Sequence, residues 1–160
     1  MQLKKAFLIL AAAGACVASA GCGQKLPEGI PDLLPVTLVL TQEGAPLDTA
    51  TVSCIPVDAA NSRWSCGGTT DAKGELPLTT LGQYKGIPSG EYKVVVMKML
   101  LENPPQTRDD PPGQRYRLVP EEYETADSTP LTFTASKDQK RVELDLGPAI
   151  KEEMKSRGPL

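Results

Sequence analysis

Apolar and polar residues alternate with period two along most of this chain. Val36, Leu38 and Leu40 share one face of a run, and Ala50, Val52 and Cys54 share a face of the next. Tyr92, Val94 and Val96 follow the turn Gly86-Ile87-Pro88-Ser89-Gly90, with Val95 on the opposite face. Alternation of this kind predicts strands, because successive side chains leave opposite faces of an extended backbone. Further strands are predicted over about residues 63–70 (Trp64, Cys66, Gly68 and Thr70 on one face), 75–80, 130–135 and 141–146. Asp71-Ala72-Lys73-Gly74 and Gln42 to Leu47 carry turn chemistry between runs. About seven short strands punctuated by turns predict an all-β sandwich built around Tyr92–Val96.

The pattern fails in two places. Residues 23–35 hold three prolines and two glycines without periodicity and read as a tether. Leu101 to Glu122 contains Pro104, Pro105, Pro111, Pro112 and Pro120, so regular structure is not expected over most of it. Gly147-Pro148 ends the domain, and residues 148–160 form a polar tail with room for two helical turns. The resulting division is 1–21, 22–35, 36–147 and 148–160.

The N-terminus is an export address. Lys4 and Lys5 precede the short apolar run Ala6 to Ala15, and Ser19-Ala20-Gly21 lead into Cys22. The run is too short for a stable span and has the layout of a signal peptide. Small residues directly before Cys22 resemble the lipobox of bacterial lipoproteins, which are cut before the cysteine and acylated on it; Ser19 stands where leucine is favoured. Cys16 is a weaker competing site, and a plain secreted protein is the alternative. Gly23 occupies the position of a retention aspartate, which points to the outer membrane.

Loss of residues 1–21 moves the formal charge from −3 to −5, since Lys4 and Lys5 leave with them. An acidic chain is a poor ligand for nucleic acid, which needs clustered Lys and Arg. Cys54 and Cys66, twelve residues apart in an exported chain, are expected to form a structural disulfide with Trp64 beside it. The chain contains no histidine. That removes Ser-His-Asp and Cys-His catalysis, histidine metal sites and histidine proton shuttles.

Several segments together resemble the carboxypeptidase regulatory-like, transthyretin-like domains of small bacterial lipoproteins. They are Gly44-Ala45-Pro46-Leu47 with Ala50-Thr51-Val52, Pro56, Gly68-Thr69-Thr70-Asp71 with Gly74, Gly86 to Val94, and Tyr123 with Ser128-Thr129-Pro130-Leu131. The resemblance spans residues 36–146. It implies a seven-stranded prealbumin-like (Ig-like) sandwich and a non-catalytic module without cofactor. The hydrolases of this fold rely on histidines that are absent here. The Lys–Asn cross-link of related surface modules has no counterpart, since the first strand lacks lysine and the last lacks asparagine.

The long proline-rich segment remains as the place for chemistry. Arg108, Arg115, Tyr116, Arg117 and Tyr123 are of the types that anchor interfaces, and form a candidate binding loop for an envelope protein. A carbohydrate-binding module is the alternative and would require Tyr116 and Tyr123 on one exposed surface. Asp109, Asp110, Glu121 and Glu122 could serve calcium but lack regular ligand spacing. A glycosidase would need two carboxylates facing across a cleft. The expected partners are the membrane, through the lipid on Cys22, and an unknown envelope protein or glycan.

Overall fold

The computed structural model describes residues 26–154; Cys22, the signal segment and the last six residues lie outside them. The fold is all-β, with short 3-10 turns as its only helical pieces among the described residues. The N-terminal half contains β1 (Leu33–Leu34), β2 (Thr37–Gln42), β3 (Ala45–Pro46), β4 (Thr51–Pro56), β5 (Cys66–Thr69), β6 (Glu75–Pro77), β7 (Thr79–Thr80) and β8 (Tyr84–Lys85). The C-terminal half contains β9 (Ile87–Pro88), β10 (Gly90–Met97), β11 (Met99–Glu102), β12 (Gln114–Arg117), β13 (Thr132–Ala135), β14 (Arg141–Asp145) and β15 (Glu152–Glu153).

Two sheets enclose the core. One has the order β13-β10-β4-β5-β7-β8 and the other is built on β2, which pairs with β14, β3 and β6. All pairings are antiparallel except β14 on β2. Leu38, Leu40, Val142 and Leu146 from one layer meet Val52, Val94, Val96 and Phe133 from the other. The alternation of β10 is realised in full: Tyr92, Val94 and Val96 are completely buried. Tyr92 lies opposite Phe133 on β13, their rings stacked at 5.4 Å, and its hydroxyl donates to Pro88 O at 2.8 Å. A buried phenol thus keeps its hydrogen bond.

Turn chemistry explains the tight connections. Glu43 and Gly44 both have positive φ (52° and 74°), the two-residue hairpin geometry that matches strand twist, joining β2 to β3. Gly74 (φ 71°) has no room for a side chain, because a Cβ there would fall 2.4 Å from Leu40 O. Asp71 closes the same turn by accepting from Lys73 N and Glu75 N.

The structure corrects five sequence readings. Residues 29–34 are not a free tether: β1 pairs with β9, and Arg63 donates to Gly29 O at 3.2 Å. Residues 149–154 are not helical, since β15 adds to β12. The segment after Met99 contains the hairpin β11–β12, where irregular chain was expected. Cys54 and Cys66 are free thiols rather than a disulfide. Their positions oppose each other on β4 and β5, but Cys66 Sγ is turned to Trp64 O (3.2 Å) and lies 3.6 Å from Thr80 Oγ1. Trp64 is buried in the turn before β5 and not on a strand.

Candidate interaction surface

β10 does not stop at the edge of the sandwich. After a break at Lys98 the chain runs on as β11 and returns as β12, forming with β15 a three-stranded sheet ordered β11-β12-β15. Met99 faces Arg117, Leu100 faces Tyr116, Leu101 faces Arg115 and Glu102 faces Gln114. The four prolines sit beyond the ladder, at the tip, where no backbone donor is missed. Asp110 Oδ2 accepts from Gln106 N (2.7 Å) and Thr107 N (2.8 Å), closing the tip. Those two backbone donors, Thr107 foremost, hold its carboxyl below the ordinary range. Gly113 is required where the tip rejoins the ladder, since a Cβ would lie 2.6 Å from Glu102 O and 2.7 Å from Asn103 O.

The base of the hairpin is fastened by charge. Arg117, with 15% of its side chain exposed, reaches Glu121 at 2.7 Å, Glu124 at 3.2 Å and Glu152 at 3.9 Å. Its Nε approaches Glu124 without the alignment of a hydrogen bond. Hydrogen bonding to Glu121 raises the guanidinium pKa further. Lys151 bonds Glu102 at 2.6 Å and stands 4.4 Å over the Tyr116 ring. Lys98 reaches Asp48 at 2.7 Å, and Gln42 donates to Leu118 O and Pro148 O. The hairpin is a stiff extension of the sandwich.

Its outer strand is apolar and uncovered. Met99 is 57% exposed, Leu100 38% and Leu101 47%, following Met97 at 39%. Among the described residues only β12 pairs with β11, because β4 ends at Thr51, opposite Met97. Periodicity could have flagged this run, but the break into prolines concealed it.

The five loop residues named from sequence separate into two groups. Arg108 and Arg115 are exposed, Tyr116 is partly exposed, and Arg108 and Arg115 have no ion-pair partner among the described residues. Arg117 is committed to its three glutamates, and Tyr123 is buried in the core from the 3-10 turn Glu121–Glu124. Tyr116 and Tyr123 therefore make no common platform. No group of three or more His, Cys, Asp or Glu is placed to hold a metal among the described residues. A shallow depression of about 490 Å³ lies in the hairpin tip, lined by Asn103, Pro104, Pro105, Gln106, Asp110 and Pro111. Its one carboxyl, Asp110, is already occupied by backbone donors. No helix among the described residues is long and apolar enough to cross a membrane.

No family model, curated protein or solved structure matches this chain.

Proposed function

We propose that the chain is a lipid-anchored protein of a bacterial cell envelope, acylated on Cys22 and held in the outer membrane. Its body is a non-catalytic, transthyretin-like sandwich, and its work is to hold another protein through the hairpin β11–β12. The observation that carries the interaction reading is a polarity. The N-terminal segment is fastened beside β9, at the start of β10, whereas the apolar edge lies past the end of β10. Twelve residue steps separate Gly90 from Glu102, or about 40 Å of extended chain. An anchor at the first end leaves the apolar edge pointing away from the membrane. Large exposed apolar residues on an uncovered edge are a hazard unless a partner covers them.

The glycan reading loses its support with Tyr123 in the core.

Two measurements on the whole chain test the proposal. Cells supplied with labelled palmitate should yield a labelled protein, and Cys22→Ser should abolish the label; an unlabelled wild type sinks the anchor. Affinity capture from solubilised envelope should recover a partner that Met99→Asp with Leu101→Asp loses. Equal recovery by that variant sinks the interaction reading.

A further inference from the structure

We propose that the edge strand β11 pairs with β11 of a second copy, antiparallel and about a two-fold axis at Leu100. The inference deepens the interaction reading, resting on it for the use of this edge and not at all on the lipid anchor.

Backbone parity comes first. Leu118 N donates to Lys98 O at 2.9 Å, so the even-numbered residues of this strand turn their backbone groups toward β12. The N–H and C=O of Met99 and Leu101 then face the open side, where β4 has ended. In an antiparallel pair, directly opposed residues whose backbone groups face each other exchange two hydrogen bonds. A two-fold axis at Leu100 opposes Met99 to Leu101 of the second copy, and the reverse. This register satisfies all four outward groups with four hydrogen bonds.

The side chains fit the same register. Leu100 meets Leu100 across the axis in a non-hydrogen-bonded pair, the arrangement that brings side chains closest. Each Met99 lies against a Leu101. Lys98, held by Asp48, falls opposite Glu102, held by Lys151, so no like charges meet at either end of the pair. Edge strands are ordinarily blunted by lysine, proline or a bulge. The three residues from Met99 to Leu101 carry no such guard, and the first proline comes only at Pro104. Because the paired strands run in opposite directions, the two N-terminal segments leave at opposite ends.

Sedimentation velocity on the full chain tests the pairing. A four-residue edge makes a small interface, so a dissociation constant on the order of 100 μM is expected. Leu101→Pro removes one outward N–H while leaving the β12 ladder its donors, and should weaken the dimer at least tenfold. Should that variant lose its wild-type circular dichroism, Met99→Lys decides instead. It sets a charge against each Leu101 at an exposed site and should weaken the dimer to a similar degree. A chain that stays monomeric at about 1 mM, roughly ten times that constant, overturns the proposal. So does a dimer indifferent to the substitution. If the chain is monomeric yet captures a different protein through Met99 and Leu101, self-pairing fails and the interaction reading stands.

Discussion

β10 and β11 belong to one nearly continuous run of chain, written in the same apolar alphabet, and they meet opposite fates. Tyr92 is flanked by β4 and β13, Val94 and Val96 by β4, and all three are capped by the second sheet and wholly buried. Among the described residues, Met99, Leu100 and Leu101 have one neighbouring strand, no covering layer and substantial exposure. Residue type does not separate them. What differs is whether another strand is present on the far side, and β4 ends between the two regions. Apolar residues in the first region hold the fold together; in the second they are available to something else.

The sharpest way to break this comparison is at Tyr92. Tyr92→Ala should cost about 3–5 kcal/mol of stability, read from denaturant unfolding, since it empties a ring-sized space and orphans Pro88 O. A cost below about 1 kcal/mol would mean the core is not packed as described.

Alkaline pH acts on the same region. Burial raises the thiol pKa of Cys54 and of Cys66, and burial likewise raises that of Tyr92. The folded chain holds these protons more tightly than the unfolded one. The thiols' contribution is therefore whole below their unfolded pKa of about 8.5 and declines above it, by up to about 1.4 kcal/mol per pH unit for each, and that of Tyr92 declines only above about 10. The urea midpoint should fall between pH 7 and pH 9.5, and less so in Cys54→Ala with Cys66→Ala. A flat midpoint would mean that the cysteines are bridged or open to solvent.

The hairpin should respond locally. Arg117→Gln removes the cation shared by three glutamates, and amide exchange across residues 99–117 should quicken about fivefold, the equivalent of roughly 1 kcal/mol. Exchange in β10 should stay unchanged; a uniform rise would show that hairpin and sandwich open as one unit. Smallest of all, Met99→Ala should shift stability by no more than about 0.5 kcal/mol, because this exposed side chain contributes little to the fold.

The sandwich was legible wherever one face of a strand is buried and the other wet, as at Val52 and Cys54 or at Val142 and Leu146. Sequence reasoning went astray where pairing is decided by backbone geometry rather than by alternation. Pro104, Pro105, Pro111 and Pro112 suggested an irregular loop, yet they occupy only the tip of a hairpin whose ladder ends before them. Leu33–Leu34 and Glu152–Glu153 are two-residue strands, too short for any period to register. Of the candidate binding residues, Arg108, Arg115 and Tyr116 lie on the hairpin. Tyr123 does not serve there: the 3-10 turn Glu121–Glu124 packs against β10 and buries it, a placement no local pattern encodes. The apolar edge itself was overlooked because the prolines that follow Leu101 hid the strand, and its exposure is set by where β4 stops.

The most direct test places a photo-activated benzophenone at residue 101 on β11 or at residue 134 on the β13 edge, in cells making the whole chain. Both positions lie on edge strands, but only the first carries the exposed apolar row. The account predicts a discrete cross-linked product from position 101 and none from position 134. Equal products from the two, or none from 101, would contradict it.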